Sequence, residues 1–138
     1  MSNSNYTLIQ QLLDEQLVTV ADLPTLVKEN VRKQDEKANT AWCRSTLIPS
    51  EPNYTSIGAD GLTEWRGLYQ ISLFYPEGYG VDDVNTMVDT IVDTFPKGLQ
   101  IGATDPKVMI WKSYRLTAMS ENNKFIHVPI RINWSYWS

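Results

Sequence analysis

The 138-residue sequence contains very few of the side chains that carry covalent or metal chemistry. It has one cysteine, Cys43, and one histidine, His127. The single cysteine excludes an internal disulfide and favours a reducing compartment or a packed thiol. Together the two residues are too few for a zinc site, which takes about four cysteine or histidine ligands, or three and a water.

The sequence also lacks the motifs of common catalytic and nucleotide-binding sites. Neither G-x-x-x-x-G-K-[ST] nor G-x-G-x-x-G occurs in it. The aspartates from Asp82 to Asp93 have the spacing of a solvated helix face, without a ligand loop like that of an EF-hand. A nucleophilic pair would have to join Cys43 to His127, and we interpret these two as a packed thiol and a solvated imidazole. We therefore predict no enzymatic activity, no cofactor and no metal.

Long apolar segments are absent, and none approaches the roughly 20 residues of a membrane span. The first residues, MSNSNYTLIQQLLDEQ, have neither the basic start nor the apolar run of a signal peptide. The composition, 42% hydrophobic and 20% charged, is typical of a globular protein. We expect one domain spanning residues 1–138 and no membrane partner.

Charge is unevenly distributed along the chain. Residues 1–50 carry five basic and six acidic residues, residues 51–105 carry two and nine, and residues 106–138 carry five and one. The three segments have net charges of −1, −7 and +4, within a total of −4. The acidic middle and the basic end can complement each other within one fold or between neighbouring copies. The distribution disfavours a general nucleic-acid binder, which needs a clustered excess of lysine and arginine.

Helical periodicity occurs twice in the sequence. Apolar residues at helical spacing predict a first helix from Tyr6 to Leu17, with Ser4 or Asn5 as its N-cap. A stripe of valine, isoleucine and phenylalanine predicts a second helix from Val81 to Phe95. Aspartates in the first turn of that helix suit the positive end of its dipole.

Alternation of apolar and polar residues predicts two long strands, Glu64–Tyr75 and Ile126–Tyr136. Gly67 within the first indicates a bulge or a close backbone contact. Pro129 within the second has no N–H to donate, so we expect it at an edge or an irregular point. Further extended segments are predicted at Leu26–Val31, Trp42–Ile48, Tyr54–Ile57, Leu99–Ile101 and Val108–Met119, the last with a break.

These elements predict an α+β fold, a mixed or antiparallel β-sheet with two helices packed on one face. The polar segment Arg32–Thr40 is predicted to be a loop, and Gly58–Gly61 a turn. Glu121–Lys124 has the composition of a hairpin connection between the last two strands.

Four short blocks stand out in the sequence: L-x-P-x-E-P at Leu47–Pro52, GLTEWRGLYQISLFYP at Gly61–Pro76, TFPKG at Thr94–Gly98 and FIHVPIRINWSYW at Phe125–Trp137. Together they resemble the tail-terminator family of long-tailed, non-contractile bacteriophages, in particular the small proteins related to the lambda-type terminator, a minor tail protein. Each block is short and structural in character, and their order and spacing carry the resemblance. It extends over roughly residues 41–137.

The resemblance implies a structural protein without catalytic residues, located in the virion at the head-proximal end of the tail and assembled in the host cytoplasm. It implies a homo-oligomer, a ring of six, that caps the tail tube and halts its polymerisation. The implied partners are the tail tube protein and a head-completion or neck protein. DNA would pass through the ring without sequence-specific binding.

A ring requires a heterologous interface, in which one patch meets a different patch on the next subunit. Our candidates for interface residues are Arg66, Tyr69, Arg115, Arg131 and Trp137. Two other roles remain open within the same class of protein, a neck connector and a tail-tube subunit. A small acidic ligand-binding domain is the alternative from a different class.

Overall fold

The two long strands predicted from alternation form the centre of the sheet. A computed structural model describes residues 2–27, 41–54, 63–78, 81–104, 106–121 and 125–138. Within these ranges there are two helices, α1 Ser2–Leu17 and α2 Val81–Thr94. The strands are β1 Thr25–Val27, β2 Trp42–Pro49, β3 Asn53–Tyr54, β4 Thr63–Pro76, β5 Gln100–Ile101, β6 Val108–Arg115, β7 Met119–Glu121 and β8 Phe125–Trp137.

The sheet runs in the order β1-β2-β4-β8-β6-β5. β4 and β8 pair antiparallel along almost their whole length, from Glu64 opposite Trp137 to Pro76 opposite Phe125. β2 and β3 both pair with the other edge of β4, and β6 and β7 both pair with the other edge of β8. Among the described strands, only β1 pairs parallel to its neighbour. The sheet is therefore mixed, and the predicted α+β fold is confirmed.

The hydrophobic core lies between the two helices and one face of the sheet, which we call the inner face. Alternate residues of the long strands point into it because successive side chains of a strand lie on opposite faces. The buried residues of this core include Ile9, Leu13 and Leu17 of α1, Val84, Val88 and Ile91 of α2, Ile71 and Leu73 of β4, and Ile130, Ile132 and Trp134 of β8. Each large side chain buried in this way contributes about 1.5–3 kcal/mol.

The first helix is longer than predicted. It begins at Ser2, so Ser4 and Asn5 lie within it and the predicted N-cap is wrong. The apolar periodicity begins only where the helix packs on the core, and a polar first turn carries no such signal. The second helix is confirmed to within one residue at its end.

The short strands are partly confirmed. β1 includes the beginning of the segment predicted from Leu26 to Val31, and β3 the beginning of that predicted from Tyr54 to Ile57. Residues 28–31 and 55–57 of these two predictions lie outside the described residues. The predicted break in the segment after Val108 is confirmed, since β6 ends at Arg115 and β7 begins at Met119. The predicted loop at 32–40 and turn at 58–61 lie outside the described residues, as does most of the connection at 121–124.

Of the two alternatives predicted for Gly67, a bulge and a close backbone contact, the structure shows the close contact. It pairs with Pro49 of β2 on one side and Trp134 of β8 on the other. A Cβ atom at this position would meet the carbonyl oxygen of Ile48 and lie 2.9 Å from the Cα of Pro49. Only glycine allows the backbones of β2 and β4 to approach this closely.

Pro129 lies within a central strand rather than at an edge of the sheet, yet at an irregular point of the pairing. On one side it is opposite Ser72 of β4. On the other side β6 has ended, and the Pro129 carbonyl accepts a hydrogen bond from the backbone N–H of Leu116. The N and C=O of a strand residue point to the same side. The missing N–H of Pro129 is therefore directed at the gap between β6 and β7, where no ladder bond is lost.

Candidate assembly interface

We call the face of the sheet opposite the helices the outer face, and it carries exposed aromatic and basic side chains. Among the described residues no helix packs on it. Its side chains come from alternate positions of the same strands, Trp42 and Arg44 of β2, Arg66, Leu68 and Gln70 of β4, Arg131, Asn133 and Ser135 of β8, and Lys112 and Tyr114 of β6. Polar and aromatic side chains thus alternate with the apolar residues of the core.

Trp111 is a large hydrophobic side chain on this face that is 49% exposed. The pairing of β6 with β8 shifts between Ile110 and Lys112, so Trp111 is the extra residue of a bulge. Its indole N–H donates a 2.7 Å hydrogen bond to the hydroxyl of Ser135, which is almost fully buried. The ring is therefore held in one orientation while half of its surface faces solvent. An exposed, oriented tryptophan is typical of a protein interface.

A groove of about 530 Å³ lies beside Trp111 on the outer face. Its walls include Arg66 and Leu68 of β4 and Asn133 and Ser135 of β8. The lining also includes the Glu64 carboxylate. We interpret this groove, which is lined by charged and aromatic side chains, as a contact surface.

Three basic residues of the outer face contact neutral groups. The Arg66 Nε donates to the backbone carbonyl of Glu51 at 3.3 Å, and the Arg131 Nε donates to the side-chain oxygen of Gln70 at 3.1 Å. The Lys112 ammonium lies 5.0 Å from the centre of the Tyr114 ring. Their positive charge is therefore not neutralised by these contacts.

His127 and Cys43 lie on opposite faces of the sheet, so they cannot form a catalytic pair. The imidazole is on the outer face, stacked at 4.6 Å on Phe74, which stacks in turn at 4.2 Å on Trp42. It is half-buried, and the predicted solvated imidazole is wrong, because the neighbouring strand supplies an aromatic face directly opposite. The predicted packed thiol is confirmed, since Cys43 is fully buried on the inner face.

The five candidate interface residues occupy different surroundings. Arg66 and Arg131 belong to the outer face, and Trp137, also on that face, is half-buried at the end of β8. Arg115 lies on the helix side, where it donates a 2.6 Å hydrogen bond to Asn85 of α2. Tyr69 has 0% exposure and donates to the Asp14 carboxylate of α1, so its surface is used within the subunit.

Sequence reasoning missed Trp111 and Lys112 as members of this surface. The signal was present in part, because an aromatic residue follows Ile110 at a position that alternation assigns to the outer face. The bulge that brings both residues onto that face depends on pairing with β8, which residue periodicity does not show.

The Tyr69–Asp14 hydrogen bond is expected to stabilise the packing of α1 on the sheet. Tyr69→Phe removes the donor, and since Asp14 is half-exposed, water replaces it only in part. Hydrogen bonds to charged groups contribute about 1.5–3 kcal/mol, so we expect a loss near the lower end of that range. Urea denaturation of Tyr69→Phe, Asp14→Asn and the double variant measures the coupling. Purely additive losses would contradict a direct interaction.

Cys43 is expected to make the fold sensitive to alkaline pH. Burial, and secondly the charge of Asp14, raise the pKa of its thiol from 9.0 to about 12. Between these values the unfolded chain has lost the thiol proton while the folded chain retains it. The free energy of unfolding therefore falls as pH rises through this window, by about 1.4 kcal/mol per pH unit.

The matched variant for this effect is Cys43→Ser, because a serine hydroxyl retains a donor toward the Pro24 carbonyl that Cys43 contacts. Burial also raises the pKa of Tyr69, which adds a similar fall above pH 10 in both proteins. Unfolding free energies at pH 8, 9 and 10 should decline more steeply for the wild type. Equal slopes in the two proteins would show that the thiol does not contribute.

Two other kinds of site bear on the class of protein, a metal centre and a membrane span. In the described part of the chain, no three histidine, cysteine, aspartate or glutamate side chains are grouped so that they could hold a metal ion. No helix among the same residues has the length and apolar character required to cross a membrane.

The fold is an α+β domain, and comparison with known proteins identifies its family. A family model described as phage tail terminator protein matches residues 8–134, which is nearly the whole chain. The chain belongs to this family of phage tail terminator proteins, as the sequence blocks indicated. It is therefore a structural protein of a phage tail, in a family of structural proteins rather than enzymes.

Two further comparisons concern the fold and the curated proteins. A solved structure whose name describes no function matches with a TM-score of 0.68 and 16% sequence identity. The match covers 96% of this chain and 92% of that one. At this identity the likeness supports the fold alone. No curated protein matches the sequence.

Proposed function

We propose that the chain, as one domain, forms a ring of six subunits that caps the tail tube and ends its polymerisation. The ring then presents a surface to the head-completion or neck protein. Membership of the tail terminator family carries this proposal. In the virion the ring would lie at the head-proximal end of the tail, after assembly in the host cytoplasm.

The surface of the subunit supports assembly as its activity. A closed ring requires two different patches on each subunit. The outer face offers one, with the exposed Trp111 and the charged Arg66, Lys112 and Arg131. Tryptophan and arginine are among the residue types that contribute most of the binding energy at protein interfaces.

The channel of the ring is proposed to pass DNA without binding a particular sequence. The chain has a net charge of −4. A predominantly acidic lining would repel phosphate and allow the duplex to slide.

Electron microscopy of tail tubes grown with and without the protein tests this function. We expect rings at one end of each tube and a narrow distribution of tube lengths. Uncapped tubes of unregulated length in the presence of folded protein would overturn the proposal. Rings inserted along the tube wall would instead indicate a tube subunit, and rings that bind only the neck protein would indicate a connector.

A further inference from the structure

One side of α2 carries a row of carboxylates that do not pack in the core. Val84, Val88 and Ile91 point into the core, so the opposite side of the helix faces solvent. That side includes Asp82, Asp83, Asp89 and Asp93, all of them exposed. The helix contains no basic residue. Asp82 and Asp93 are separated by about 16 Å along the helix axis, at 1.5 Å per residue.

The outer face of the sheet carries three basic side chains over a similar length, with one carboxylate, Glu64, beside Arg66. Arg131 is paired with Gln70, four residues from Arg66 along β4, which places the two positions about 14 Å apart. Lys112 of β6 lies on the same face beside them. The helix row and this basic strip are on opposite sides of the sheet.

Among the described residues, the charges of the basic strip and those of the helix row do not compensate each other. Arg66, Lys112 and Arg131 contact a carbonyl, an aromatic ring and an amide, none of them charged. Within the described ranges, neither these cations nor the α2 aspartates form an ion pair. Of the two arrangements open for the uneven charge along the sequence, the structure favours complementarity between copies.

We propose that the exposed side of α2 in one subunit docks on the outer face of the next subunit in the ring. The aspartate row would lie along the basic strip formed by Arg66, Lys112 and Arg131. Trp111, on the same face, would be covered by the helix. The inference rests on the proposed ring and specifies which two surfaces close it.

The two surfaces differ, so the contact is heterologous and repeats around a ring. A helix that packs across the face of a sheet buries an extended surface. In this contact the carboxylates of α2 would lie beside the guanidinium groups of the outer face. Arginine binds carboxylates well because its planar fork can donate two hydrogen bonds. Attraction between exposed charges is screened by salt, so assembly should weaken as ionic strength increases.

Two charge-reversed variants test the contact. The helix variant carries Asp89→Lys and Asp93→Lys, which leave the favourable aspartates in the first turn of α2 and add lysine near its C-terminal end. The sheet variant carries Arg66→Glu and Lys112→Glu, both at exposed positions. All four side chains are outside the core, so both variants should fold, and circular dichroism checks this.

Each variant alone places like charges in the contact, and we expect it to remain monomeric at concentrations where the wild type forms rings. An equimolar mixture of the two should assemble again. In the mixture, the lysines of one variant meet the glutamates of the other, and the remaining wild-type surfaces meet each other. The expected product is a ring in which the two variants alternate, which native mass spectrometry identifies by its composition.

Glu15→Lys is the control for the helix variant, because it replaces one acidic side chain by lysine, half of that variant's charge change, at an exposed position of α1. It should form rings as the wild type does. If either variant alone assembles normally, or if the folded variants fail to assemble when mixed, the proposed contact is wrong while the ring itself stands. If the wild type forms no ring, even with tube protein present, the proposed function fails instead.

Discussion

Replacing Gly67 by alanine is expected to lower the free energy of unfolding by about 3 kcal/mol, a large loss for one methyl group. The added Cβ would meet the Ile48 carbonyl oxygen and approach the Pro49 Cα and the Ser50 N at 2.9 and 3.1 Å. All three are backbone atoms of β2 or of the residue that follows it. They cannot rotate away as a side chain would, so the two strands must separate.

The effect of this substitution on backbone entropy is smaller than the clash. Gly67 does not have a positive φ angle, so alanine is conformationally allowed there. Restricting the unfolded chain would by itself stabilise the protein by about 0.4–1 kcal/mol. A backbone clash outweighs this gain, and the net effect is destabilising.

Gly78→Ala is the matched control for Gly67→Ala. Gly78 has a φ of 94°, but a Cβ there would have nothing within 4 Å. Gly78→Ala should therefore lower the free energy of unfolding only through the strained backbone conformation, by about 1–2 kcal/mol. Thermal unfolding at a fixed protein concentration should show a decrease of roughly 10 °C for Gly67→Ala and a smaller one for Gly78→Ala. The reverse order would contradict the close approach of β2 and β4.

Trp111→Ala is expected to abolish ring assembly while leaving the subunit folded. The side chain is 49% exposed, so its truncation removes little from the core of the monomer. At the centre of an interface, a tryptophan contributes about 2 kcal/mol or more. Loss of that energy weakens each contact by about 30-fold. Because a closed ring has as many contacts as subunits, the loss is repeated around the ring.

The control for Trp111→Ala is Leu8→Ala, which truncates another exposed hydrophobic side chain, on α1. Sedimentation velocity at several concentrations measures assembly, and thermal unfolding measures the fold. We expect Leu8→Ala to sediment as the wild type and Trp111→Ala as a monomer. Normal rings from Trp111→Ala would show that the outer face is not a subunit contact.

Local patterns in the sequence were sufficient to predict much of this fold. The alternation around Ile71 and Ile130 specified the two long strands and their buried side, because a strand has a fixed two-residue period. The stripe from Val84 to Phe95 specified α2 in the same way. Gly67 was predicted to mark either a bulge or a close backbone contact, because glycine inside a strand is typical of both, and the second alternative is the one observed.

The order and register of the strands could not be predicted from these local patterns. Nothing local to Glu64 indicates that it pairs with Trp137, because pairing over such a separation depends on how all strands compete for partners. The bulge at Trp111 and the gap beside Pro129 are consequences of that pairing. The surface around Trp111 was missed for the same reason, while Arg66 and Arg131, basic residues within long strands, were among the candidates and lie on the outer face.

The claim that this protein acts by capping a tube is tested most directly by measuring the growth of tail tubes. Purified tube protein polymerises while light scattering follows the total mass of tubes, and the terminator chain is added while the tubes are still growing. We predict that growth stops at an amount of protein sufficient for one ring per tube end, and that Trp111→Ala leaves growth unchanged. Continued growth at the original rate with excess folded wild-type protein would contradict the account.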